Sequence, residues 1–303
     1  MNNFVWLVRR EFWENKAIWM LPAIVAAFMV VAALFGGVHM GPNDISVGSG
    51  SSLSDSHGLG GRALFAFSVV FLIVMSIYSA WYLLDCLYAD RKDRSILFWK
   101  SLPLTDAETV LSKLAVGLLI IPLVYFAIAD LTTLTLAFII SIRASSWVGT
   151  SLWQPDNWLQ LQALWLYMIV TLAVWLLPVA GWLMLVSAVA TRAVMLWSVL
   201  PLLGLYLGER WVFGTHMVGS ALSDRLVTGY ALRAFHGDAD GAGMLGAITH
   251  EVRAEAGIDA ARSVWAYLDP VGFFGSPATW IGAAIGVALI VATIQVRARR
   301  SEI

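Results

Sequence analysis

Asp130 has the strongest chemical claim in this chain, because it stands within a long apolar run, 114–142, with Thr132, Thr133 and Thr135 close behind it. A carboxylate at the centre of a membrane helix costs about 2.5–3.5 kcal/mol on insertion scales, and residues that bear that cost mark ion or substrate pathways by default. A transport-pathway role is one reading of Asp130, and a hydrogen bond that fastens two helices is the other. A second group lies in 90–103, reading Asp90-Arg91-Lys92-Asp93-Arg94-Ser95, then Ile96-Leu97-Phe98-Trp99, then Lys100-Ser101-Leu102-Pro103. Mixed charge followed by aromatic residues in a short connection suits a docking surface, since apolar side chains that meet neither lipid nor core meet a partner. A membrane-skimming helix in an ordinary basic loop is the plainer alternative. Pro103 stops that segment, and Thr105-Asp106-Ala107-Glu108 has the form of a capping box that starts the next helix.

Other chemistry is missing from the text. There is no G-x-x-x-x-G-K-[ST] loop: Lys100-Ser101 is the only Lys-Ser/Thr pair, and no glycine precedes it at useful spacing, so ATP binding by that route is excluded. His250-Glu251 is followed by Val252, Arg253 and Ala254, which is not H-E-x-x-H, and the five histidines are scattered. No G-x-S-x-G elbow occurs. Cys86, the single cysteine, cannot form an internal disulfide and reads as a small packing residue. No catalytic residue, metal site or cofactor is expected in this chain.

The elements that must position these residues are membrane helices. The 303 residues are 59% apolar and 13% charged, about half the ~25% charge of a soluble domain. A net charge of −1 gives no case for a nucleic-acid partner. Apolar stretches able to cross a core of ~30 Å fall at 18–38, 63–84, 114–142, 161–190, 194–208 and 277–296. The third and fourth are longer than a crossing needs, which implies tilt or extension. The fifth is short, contains Pro201 and ends at Glu209-Arg210, so it reads as kinked or partial. The run from Ile18 is longer than a signal-peptide core and no A-x-A site closes it, so no cleaved leader is expected.

Basic residues orient the spans. The N-terminus, the 84–113 connection, Arg192 and the tail share one side and hold 12 Lys and Arg, including all four lysines; the short loops opposite contribute only Arg62 and Arg143. Both termini are therefore expected in the cytoplasm. Before the first span, Phe4, Leu7, Val8, Glu11 and Phe12 alternate with Arg9, Arg10 and Glu14, the pattern of an amphipathic helix lying in the membrane interface. Between the fifth and sixth spans, 209–276 reads as two helices around the turn-rich 237–243, external or partly re-entrant. Gly204-x-x-x-Gly208 and Gly282-x-x-x-Gly286 permit close helix contact, within one chain or between two.

Taken together, this is an all-α integral membrane chain forming a single transmembrane domain over 1–303. It has six transmembrane helices, an N-terminal interfacial helix over 1–17, a cytoplasmic coupling helix between spans 2 and 3, and an external helical insert between spans 5 and 6. In that layout, and in Trp6-Leu7-Val8-Arg9-Arg10-Glu11-Phe12-Trp13-Glu14 and Asp90 to Pro103 with Lys113 following, the chain resembles the permease subunit of a type-2 ABC exporter. The resemblance implies a second permease copy, as a homodimer, and separate ATP-binding cassette subunits that carry ATP and magnesium. It implies a bacterial inner (cytoplasmic) membrane location. It also implies that Asp90, Arg91, Asp93, Arg94, Ser95, Phe98, Trp99, Lys100, Leu102 and Pro103 couple to the ATPase, and that Arg9, Arg10, Glu11 and Phe12 belong to the interfacial helix. The alternative is a membrane-embedded enzyme, or an accessory membrane subunit without ATPase coupling.

Overall fold

The computed structural model describes residues 3–35, 55–93, 105–143, 152–235 and 268–299. Within them the chain is all-α, and its one strand-like feature is an isolated antiparallel bridge between Phe235 and Leu268. Helix α1 spans Asn3–Glu14, α2 Ala17–Phe35 and α3 Asp55–Lys92. Helix α4 runs Asp106–Arg143 through one π turn at Val116–Ile120. Helices α5 (Pro155–Trp175), α6 (Leu177–Val189) and α7 (Val194–Gly208) follow; then come α8 (Met217–Ser223), α9 (Gly229–Ala234), α10 (Pro270–Gly275) and α11 (Pro277–Arg299).

Five of these, among the described residues, are long and apolar enough to cross a membrane: α2, the Ala66–Lys92 part of α3, α4, α5 and α11. Of the six expected crossings, the fifth of them expected to be short, five are therefore long enough to span. The fifth expected span forms with the expected bounds as α7, 15 residues of α-helix that run on without a break into a π turn at Glu209–Phe213. The fourth, expected as one helix over 161–190, is two helices that meet at Leu176 (φ −85, ψ 2). Pro178 explains the break: it offers no N–H, and its ring crowds the carbonyl one turn earlier. At 38 residues, α4 would measure about 57 Å, nearly twice the hydrocarbon core, as the length of the third apolar run implied.

Thr105 starts α4 with the expected capping box. Its Oγ1 accepts from the Glu108 N–H at 3.1 Å, while the Glu108 carboxylate accepts from the Thr105 N–H at 2.9 Å. The bundle core gathers Phe71, Tyr125, Trp165, Met184 and Ile290. Outward-facing apolar residues such as Phe28, Ile77 and Phe138 give the spans a lipid-compatible surface. Helix α6 packs chiefly on α11 and α3, and α2 on α4.

The two small-residue pairs differ. A Cβ on Gly286 would lie 2.7 Å from the Leu177 backbone, and one on Gly181 would lie 2.9 Å from the Gly286 carbonyl, so α6 and α11 touch backbone to backbone. Gly204 and Gly208 meet nothing within 4 Å, and only Val194 and Ser198 of α7 are buried.

Of the 209–276 insert, 209–235 and 268–276 are described. The predicted helical register through Val218, Leu222, Leu226 and Tyr230 is realised as α8 and α9 joined by a π turn at Asp224–Thr228. The second helix expected there falls outside the described residues. The insert is tied to the bundle by Trp175 Nε1 donating to the Arg225 carbonyl at 2.8 Å and by Tyr167 Oη donating to that of Ala234 at 2.7 Å. Where α7 ends, the Thr215 hydroxyl donates to Glu209 at 2.7 Å, and the Val218 and Met217 N–H groups donate to it as well. The Thr215 bond foremost, with those amides, holds the Glu209 carboxyl below its ordinary range against a smaller desolvation effect.

Candidate functional site

One end of the bundle holds a buried cluster of charge drawn from four helices. Helix α1 turns Leu7 and Glu11 inward while Phe4, Val5, Trp6 and Trp13 face out. Helix α4 presents Val110 and Lys113 on its buried face. In α11 the stripe Gly282, Gly286, Ile290, Thr293 ends one turn later in Arg297. Helix α3 brings Asp90 in its last turn.

Lys113 Nζ lies 2.7 Å from Glu11 Oε1 and 3.4 Å from Asp90 Oδ1. Arg297 stands 3.5 Å from the other Asp90 oxygen and donates through Nε to Asp106 at 3.0 Å. Tyr82 Oη donates to Glu11 Oε2 at 2.8 Å, and Asn15 Nδ2 donates to it at 3.3 Å. Glu11, Asp90, Lys113 and Arg297 are each no more than 7% exposed. Two acids and two bases at that depth balance, as desolvation requires, because an unpaired ion there would cost several kcal/mol. Asp106, about a quarter exposed, keeps part of its hydration.

Next to Asp90, Arg91 turns to a different partner. Its guanidinium donates to the Ser187 carbonyl and, at 2.8 Å, to that of Ala190, which satisfies acceptors left open at the end of α6. Ser187 Oγ in turn accepts from the Leu87 and Tyr88 N–H groups at 3.1 and 3.0 Å. The last turn of α3 is thereby fastened to α4, α6 and α11, and through Lys113 to Glu11 of α1, at the point where the 94–104 connection begins.

Several residues singled out in the sequence thus meet, and others do not. Glu11 and Asp90 share Lys113. Arg9 lies over the Trp6 ring at 5.4 Å on the exposed side of α1, and Arg10 pairs with Glu14 at 2.6 Å. Phe12 packs half-buried against the core. Asp93 is exposed just past α3, its N–H donating to the Ala89 carbonyl. Arg94, Ser95, Phe98, Trp99, Lys100, Leu102 and Pro103 lie outside the described residues. Asp130 stands apart from the cluster and accepts from Gln162 Nε2 of α5. Thr132, Thr133 and Thr135 bond to carbonyls of their own helix, so they form no shared polar site with Asp130.

No family model, curated protein or solved structure matches this chain.

Sequence reasoning did not find Arg297, Asp106 or Tyr82 as members of the cluster. The signal was present in the stripes: Glu11 continues the inward face of Leu7 and Val8, and Arg297 continues the small-residue face of α11. A charge in such a stripe must meet its opposite when the stripe is buried. Both buried bases are engaged by acids on other helices. What this arrangement can do chemically is hold helices in register through compensated charge.

Proposed function

We propose that this multi-pass membrane protein is the permease subunit of an ATP-driven exporter. The observation that carries the reading is the fastening of Asp90 and Arg91 to α4, α6 and α11, and through Lys113 to α1, at the mouth of the 94–104 connection. A force applied to that connection by a partner would reach α1, α4, α6 and α11 together rather than bend one helix end. Fastened helix ends of this kind suit a chain that lacks a phosphate loop and must take its energy from an ATP-binding cassette subunit. Phe98 and Trp99 are the apolar anchors for that partner, and Arg94 and Lys100 set its register, in the usual division of labour at an interface.

In this reading α7 serves as a sixth, partial span, both termini and the charge cluster face the cytoplasm, and 209–276 faces the other side. Helix α1 lies in the membrane interface with its exposed Trp6 and Trp13 at headgroup level. A second copy of the chain completes the pathway, and the open face of α7 at Gly204 and Gly208 is the surface available to it. The test is purification from native membranes in mild detergent followed by mass spectrometry. A stoichiometric ATP-binding cassette subunit, with turnover altered when this chain is present, supports the proposal. A chain that purifies alone favours a membrane enzyme or accessory subunit.

A further inference from the structure

A half-open recess lies between helices of the bundle, away from the charge cluster, with exposed Ser76 and Ala80 at its edge. It opens between α3, α4, α5 and α6, and its own volume is about 80 Å³. That is smaller than the ~300–1,000 Å³ of a drug-sized site and suits a slender occupant that extends out through the mouth. Two departures from regular helix line it. Gly117 and Leu118 belong to the π turn of α4, and Leu176 is the junction where α5 breaks into α6. Single π turns inside α-helices gather at functional sites because they re-aim side chains and free backbone space. Here a Cβ on Gly117 would come within 2.5 Å of Leu83, so the π turn brings α4 directly onto α3 at the cavity's edge.

The wall is hydrocarbon apart from two serines of α3. Ser76 Oγ is satisfied by its own helix, donating to the Leu72 carbonyl at 2.8 Å. Ser79 Oγ, one turn on, is buried with no hydrogen-bond partner among the described residues. A buried hydroxyl left unpaired is unfavourable, and a helical serine can ordinarily avoid this by bonding back to its own helix.

We propose that this recess binds a slender lipophilic molecule bearing one hydrogen-bonding group, with its hydrocarbon body among Leu83, Leu118, Leu172 and Leu176 and its polar atom meeting the Ser79 hydroxyl once that side chain rotates out of the wall. The ligand enters from the bilayer, where such molecules concentrate. A plain acyl chain would fill the volume but leave Ser79 unpaired. The inference is independent of the ATPase reading and stands or falls on this site alone.

The probe is 3-azioctanol, an alkanol with a photoreactive diazirine, applied to the purified chain in lipid nanodiscs, with adducts mapped by peptide mass spectrometry. Adducts are expected on lining residues such as Met75 and Leu172, and excess unlabelled octanol should compete them away while leaving the lipid-exposed Phe138 labelled as before. Ala80→Phe on α3 and Ala173→Phe on α5, each narrowing the cavity, should cut lining adducts at least about tenfold, and Ser79→Ala about three- to tenfold. Lining adducts that octanol does not compete would overturn the site without any substitution needing to fold. Equal labelling by the hydroxyl-free azioctane, insensitive to Ser79→Ala, would overturn the polar contact and assign the cavity to acyl chains.

Discussion

Lys113 Nζ and Glu11 Oε1 lie 2.7 Å apart with both side chains almost wholly buried, so an ion pair joins the N-terminal helix to the base of α4. Lys113→Met leaves Glu11 buried without its cation and should destabilise the fold by about 3–5 kcal/mol. Glu11→Gln together with Lys113→Met should recover at least about 1 kcal/mol of that, since the two residues act as a unit. Denaturant unfolding of the four proteins of this cycle in detergent micelles reads both effects. Additive losses would show that the pair is not coupled.

Gly286→Ala should be costly for its size. Its methyl would meet the α6 backbone at Leu177 and Pro178, which cannot yield as a flexible side chain can, so a loss of about 1–3 kcal/mol is expected. Gly204→Ala, into open space, should leave the stability of the single chain unchanged. Thermal unfolding of the two variants side by side checks the contrast.

Asp130 accepts from Gln162, and that contact favours fastening over conduction. Asn at 130 preserves the acceptor, so Asp130→Asn should keep both the fold and any transport flux. Asp130→Leu leaves Gln162 unpaired and should cost about 1–3 kcal/mol of stability. Loss of flux in a well-folded Asp130→Asn protein would restore the pathway role.

Glu209 gives the turn after α7 a pH dependence. Because its folded pKa is lowered, its contribution to stability is complete above the ordinary carboxylate range and is lost as the pH falls through the lowered value. Hydrogen–deuterium protection of the Met217 and Val218 amides, corrected for intrinsic rate, should be constant near neutral pH and drop in acid. Glu209→Gln should remove that drop.

The helical architecture was readable because apolar runs of membrane length admit few other readings. Four of the six expected spans coincide with helices long enough to cross, the fourth in order crosses only as its first part, α5, and the capping box at Thr105 set the start of α4 to the residue. The break at Leu176 was foreshadowed by Pro178, but a proline within an apolar run marks either a kink or an end, and periodicity does not choose between them. The charge cluster was less legible for a physical reason. Lys113 and Glu11 are 102 residues apart, and Arg297 and Asp106 are 191 apart, so only tertiary packing pairs them. Glu11 and Asp90 were singled out for an interfacial helix and a docking loop. Their common partner gives them one joint.

The central claim is that the connection beginning at Asp90 takes force from a separate ATPase. The most direct measurement is ATP turnover by the co-purified ATP-binding subunit in nanodiscs, with this chain as wild type and as Phe98→Ala/Trp99→Ala. The double variant should insert normally but lose both the bound ATPase and its permease-dependent turnover. Wild-type recovery of the ATPase with unchanged turnover would contradict it.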